Sequence, residues 1–164
     1  MRIGDIIRAH KANVEISGWN TGKIPPTAFK IKRKFPTGAD WDWRVITFLA
    51  LDRNFRLLLR LNIDKAYYSA ILSLETGSVI QVICHHELHL SHRNWHCHFV
   101  PGDVTKTHPH VLRDKERVRL FEAQPSQAND IQFDLNRTQA LSHALKRFRI
   151  KPPSANDHQA EWDF

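Results

Sequence analysis

Phe55-Arg56-Leu57-Leu58-Leu59-Arg60-Leu61-Asn62 is the stretch that decides the fold. Phe55, Leu57, Leu59 and Leu61 point one way, while Arg56, Leu58, Arg60 and Asn62 point the other, which is the period of a half-buried β-strand. The same pattern continues downstream. Tyr68, Ala70, Leu72 and Leu74 oppose Tyr67, Ser69, Ile71 and Ser73 over Tyr67–Glu75, and Thr76-Gly77-Ser78 reads as a hairpin turn. Val79 to about His86 is the next expected strand, Trp95–Val100 the one after, and Arg117–Phe121 a shorter last one. Upstream, Trp41–Leu51 is apolar on both faces, as a central strand would be, and Asp52-Arg53-Asn54 is the expected turn.

Working outward, residues 4–12 read as a short helix, with Ile6, Ile7 and His10 near one face. Phe29-Lys30-Ile31-Lys32-Arg33-Lys34-Phe35 alternates and is expected to be a basic strand. Thr138–Arg149 carries Ala140, Leu141, Ala144, Leu145 and Phe148 on one stripe and is the best helix. Pro152-Pro153 stops it, and 154–164 reads as a disordered tail. The expected architecture is an α+β single domain over residues 1–150: one antiparallel sheet of about five to six strands with a C-terminal helix packed on one face.

Composition narrows the class of partner. The 164 residues carry 24 Lys and Arg against 17 Asp and Glu, a net charge of +7 and a pI near 9.7. Residues 1–34 hold eight of the basic residues against only Asp5 and Glu15. Such a basic segment attracts polyanions, because neutralising phosphates releases condensed counterions. Lys30, Lys32, Arg33 and Lys34 are the candidate nucleic-acid contacts, RNA being favoured, although a charged edge strand would look the same. No run of 18 apolar residues is present, which excludes a membrane-spanning helix as a partner-facing element. With no apolar signal stretch at the start and only two cysteines, a cytoplasmic location is the default expectation.

Six of the 11 histidines fall between positions 85 and 98. On the expected Trp95–Val100 strand, His96 and His98 share a face that Trp95, Cys97 and Phe99 do not. Arg56 and Arg60 lie away from the leucines of their own strand, with Tyr67 and Ser69 nearby. A sheet face of this kind suits metal-independent RNA cleavage. One histidine would take the ribose 2′-hydroxyl proton, the other would protonate the departing 5′-oxygen, and arginine would stabilise the phosphorane-like charge. His96 and His98 are the candidate acid–base pair, Arg56 and Arg60 the phosphate ligands, and His86 and Tyr67 secondary candidates.

Two other classes remain open. The first is a zinc or other divalent transition-metal hydrolase or nuclease, with His85, His89 and His92 among the available ligands and Glu87 and the cysteines beside them. The His86-Glu87-Leu88-His89 run is one residue too short for the helical metalloprotease motif. The second is a non-enzymatic nucleic-acid binder with regulatory function. Glycine-rich phosphate loops and nucleophile elbows are missing.

From Phe55 to about Ile150 the chain resembles small uncharacterised bacterial and phage-associated proteins often encoded in toxin–antitoxin-like pairs. The resemblance rests on Phe55–Asn62, the paired His85-His86, the His96-Cys97-His98 strand and the closing amphipathic helix. It implies a small sheet-based ribonuclease-like toxin with a cognate antitoxin, or a defence-related binder. It carries over no catalytic residue.

Overall fold

The computed structural model describes residues 1–32, 38–90, 92–122 and 133–153, with the side chains of His92 and Arg93 excepted. The chain order is α1 (Ile3–Arg8), β1 (Ala12–Ile16), β2 (Asn20–Thr21), β3 (Asp42–Ala50), β4 (Arg53–Asn62), β5 (Tyr67–Thr76), β6 (Val79–His89), β7 (His92–Phe99), a 3₁₀ turn at Val104–Lys106, β8 (Val118–Phe121) and α2 (Arg137–Phe148). The strands form one antiparallel sheet in the order β1-β3-β4-β5-β6-β7-β8. The two-residue β2 pairs with the start of β3, beyond the end of β1. The class is the expected α+β, with more strands than expected.

The β3–β8 run is a meander whose turns set the register. Leu51 and Asp52, both at positive φ (49° and 56°), form the two-residue β3–β4 turn, in the mirror-image conformation that matches strand twist. Gly77 (φ 58°) begins the β5–β6 turn, a position that favours glycine. β6 and β7 run on to His89 and from His92, so the histidine-rich segment is a long hairpin.

One sheet face carries Phe55, Leu57, Leu59, Leu61, Tyr68, Ala70, Leu72 and Cys97, packed with Ala140, Ala144 and Phe148 of α2 and Ile6 of α1. α2 starts on a capping box in which Asn136 Oδ1 accepts from Gln139 N (2.9 Å) and Gln139 Oε1 accepts from Asn136 N (2.8 Å). It closes on Arg149 in the left-handed region. The Arg137–Asp42 ion pair at 2.7 Å ties its first turn to β3. On the opposite face, Trp43, Val45, Leu58, Ile71, Ile80 and Val82 are covered by Phe29 and Ile31 and by the partly buried Leu112.

Two expectations need correction. The N-terminal helix ends at Arg8, where Lys11 Nζ donates to the carbonyls of Ile6, Ile7 and Ala9 at 2.7 Å each; the chain then turns into β1. Residues 29–32 are not strand. Pro25–Phe29 is a turn, and Phe29 and Ile31 alternate with lysines because a loop packs them onto the second apolar face. Arg33, Lys34 and Phe35 lie outside the described residues, as does the tail from 154. No helix among the described residues is long and apolar enough to cross a membrane.

Truncating the helix anchor should unfold this arrangement first. Phe148 is 1% exposed, and Phe148→Ala is expected to cost about 3–5 kcal/mol in urea unfolding. A loss below about 1 kcal/mol would mean that α2 is not part of the core.

Candidate functional site

Strand register assembles the site. Across neighbouring strands, Arg60, Ser69, Glu87 and His96 form one row, and Leu58, Ile71, His85 and His98 the next. A third row runs Asn62, Tyr67, His89. Side chains in alternate positions of each strand share a face, so Arg60, Tyr67, Ser69, His85, Glu87, His89, His96 and His98 converge on the side away from α2.

Glu87 is the hub and has no exposed surface. Its Oε1 accepts from Tyr67 Oη at 2.8 Å and lies 3.2 Å from His85 Nε2. Its Oε2 is paired with the guanidinium of Arg113 and lies 3.7 Å from His96 Nε2 and 3.8 Å from His98 Nε2. These last two separations are too long for direct hydrogen bonds. His96 Nδ1 donates to the Asn94 carbonyl at 2.8 Å, which fixes the tautomer and turns an unprotonated Nε2 toward the carboxylate when the ring is neutral. One ligand atom from each of Glu87, His96 and His98 lies within 4.8 Å of the others. An ion with bonds of about 2.1 Å would need its ligands about 3.4 Å apart, so small rotamer changes close the set.

The surroundings are cationic. Arg60 is buried, its guanidinium 4.5 Å from the Trp41 ring centroid and 5.6 Å from that of Tyr67. Arg113 reaches in from the segment before β8, and Arg119 stands opposite His98 in the β7–β8 pairing. Burial, then the charges of Arg113 and Arg60, push the His85 imidazole well below its ordinary range and keep it neutral. That segment is pinned by Arg117, whose Nη2 donates to the carbonyls of Val82 (2.7 Å) and Val111 (2.9 Å).

The structure therefore brings together His96, His98, Arg60 and Tyr67, with His85 and His89 of the metal alternative; the His92 side chain lies outside the description. It does not bring in His86 or Arg56. His86 is on the α2 face, stacked on Trp95 (5.0 Å) and donating to Glu122 at 3.1 Å, because adjacent residues of a strand face opposite ways. Burial lowers its pKa, against the opposing pull of Glu122. Arg56 lies four residues before Arg60, about 13 Å along the strand, and is committed to Glu75 Oε2 at 2.9 Å and the Ala28 carbonyl at 3.0 Å. Lys30 shares Glu75 at 2.5 Å, so it is an ion-pair partner rather than a free phosphate ligand; Lys32 is exposed. The face is also closed: His96 is 0% and His98 7% exposed.

Sequence reasoning treated Glu87 only as one of several ligands and did not single out Arg113. Carrying the strand alternation on to His89 would have put Glu87 on the His85 face. Compared with known proteins, the chain matches no family model, and no curated protein or solved structure shows significant similarity to it.

The Lys30–Glu75–Arg56 group sets a pH dependence. Burial would raise the Glu75 pKa, but the hydrogen bonds and charges of Lys30 and Arg56 more than reverse this and hold it below 4.5. A lowered carboxylate pKa stabilises the fold above the ordinary value and loses that contribution as pH falls through the folded one. Glu75→Gln should cost about 1–2 kcal/mol at pH 7 after solvent screening. The deficit should shrink below about pH 4, and urea titrations at both pH values measure it.

Proposed function

We propose that Glu87, His96 and His98 hold zinc or another divalent transition metal, and that the protein is a metal-dependent hydrolase acting on nucleic-acid phosphodiesters. The carrying observation is the convergence of one carboxylate and two imidazoles in a buried site, with the His96 tautomer set by a backbone carbonyl. Three protein ligands leave a coordination position open, and a bound ion supplies hydroxide at neutral pH. The chain's own groups do the rest. Were Glu87 to hold an ion, the half-exposed Arg113 guanidinium that now pairs with it would be released toward a phosphate at the rim. Arg119 stands beside it, and Arg60 contributes fixed positive charge beneath. Tyr67 holds the other carboxylate oxygen in place. The net charge of +7 supports a polyanionic substrate.

A second reading uses the same residues without an ion. Arg113 and Tyr67 already satisfy the Glu87 carboxylate. In that case the Glu87–His96 pair takes the ribose 2′-hydroxyl proton, His98 protonates the leaving 5′-oxygen, and the arginines stabilise the transition state, as in a toxin-type endoribonuclease. A non-enzymatic binder is the third outcome of the test.

Protein purified without an affinity tag should contain about one equivalent of metal, since a histidine–carboxylate site of this kind binds tightly at neutral pH. It should cleave a mixed RNA or single-stranded DNA substrate, stop in excess EDTA and recover with added zinc or manganese. Glu87→Gln and His96→Ala should lose metal and at least about 100-fold of the cleavage rate. Cleavage that persists in EDTA but is lost in the His96→Ala/His98→Ala double variant would select the metal-independent reading. Salt-sensitive retention of RNA with no turnover in any condition would select the binder.

A further inference from the structure

The opposite face of the same hairpin carries the chain's two cysteines, both free and both 2% exposed. Cys84 stands opposite Phe99 in the register and Cys97 opposite His86, so the two are diagonal neighbours on adjacent strands with side chains on one face. Both thiols are buried on that face beside each other in the diagonal register. Inert buried thiols usually sit among apolar groups. Here Arg147 of α2 donates from Nη2 to Cys97 Sγ at 3.2 Å. Its Nη1 is held 3.2 Å from Glu122 Oε1, which also accepts from His86 at 3.1 Å. Arg147 and Glu122 are partly exposed, with side chains 29% and 37% accessible, and they form the rim over the sulfur.

We propose that Cys84 and Cys97 are a peroxide-oxidisable pair that closes to a disulfide bridging β6 and β7. Cys97 is the sulfur oxidised first, because it is the thiol that reaches the partly exposed rim formed by Arg147 and Glu122. Its sulfur takes the terminal oxygen of a hydroperoxide: an S–O bond forms, the O–O bond breaks, and the thiol proton leaves with the second oxygen as water or an alcohol. The product is a sulfenic acid. The Cys84 thiol then attacks that sulfur. The S–S bond forms, the S–O bond breaks, and the hydroxyl departs with the Cys84 proton as water. The two sulfurs together give up two electrons, and the peroxide accepts them. Diagonal neighbours stand just beyond the usual disulfide span, so closure draws β7 slightly toward β6. A thiol reductant reverses the step. Arg147 is a positioning residue that orients and activates Cys97.

The full-length protein is treated with hydrogen peroxide, unfolded, alkylated and weighed, with and without reduction. The expected result is a monomer 2 Da lighter than the reduced chain, with no alkylatable thiol, restored to two thiols by reductant. Cys84→Ser should stop at a sulfenic acid on Cys97 that a 1,3-dione traps, and Arg147→Met should slow wild-type disulfide formation about 10-fold or more. Far-ultraviolet circular dichroism of each variant establishes that it is folded. Retention of both thiols by the wild type, or oxidation only to species heavier by one or more oxygens, overturns the proposal. Equal rates for Arg147→Met and wild type overturn the role of Arg147.

Discussion

A carboxylate with no exposed surface, placed between two strands, is the constraint on which the rest of this molecule is organised. Leaving a buried charge unmatched costs several kcal/mol, so Glu87 must collect donors from wherever the chain can supply them. Tyr67 comes from β5 and Arg113 from the segment before β8, while His85 of β6 and His96 and His98 of β7 stand around the carboxylate. These groups span 47 residues of sequence from Tyr67 to Arg113. A single side chain thereby links β5, β6, β7 and the segment before β8.

The β6–β7 hairpin divides two chemistries by parity alone. Residues 85, 87, 96 and 98 face the polar centre, while 84, 86, 95 and 97 face α2. The polar side is built from a carboxylate and imidazoles under arginine; the helix side from thiols, an indole and one imidazole under arginine. On both sides a guanidinium from a later segment closes over a group that carries or can carry negative charge: Arg113 over Glu87, Arg147 over Cys97. The two sites share a backbone, so a movement of β7 that affects Cys97 is transmitted to His96 and His98 on either side of it.

Much of this was legible in the chain. The alternation at Phe55–Asn62 and Tyr67–Glu75 fixes two central strands and their faces, and the apolar stripe of Thr138–Arg149 places α2 to within a residue at each end. The shared face of His96, His98, Arg60 and Tyr67 followed from the same parity. What failed did so for tertiary reasons. Phe29 and Ile31 alternate with lysines, yet the ladder partner that would make them a strand is replaced by a packed loop. The polar residues His85 and Glu87 are inside, so a reading that ends strands at polar residues stops β6 too early. Whether His85 or His86 joins His96 depends on register, and the register shifts between His89–His92 and Glu87–His96, which no sequence pattern announces. Arg113 lies 26 residues from Glu87 in a stretch with no periodicity, and no local pattern could connect them.

Charge balance carries the nucleic-acid argument further than the N-terminal lysines do. Lys30, of the expected nucleic-acid contacts, and Arg56, of the expected phosphate ligands, are bound to Glu75 at the far end of the sheet. Around Glu87, by contrast, one carboxylate faces Arg60 and Arg113, with Arg119 close by, and burial, then the charges of Arg113 and Arg60, keep His85 neutral. The centre is therefore positive before any ion enters, and a divalent cation would make it more so. Both proposed readings, metal-dependent and metal-independent, place an anionic phosphodiester among these arginines, and cation content separates them.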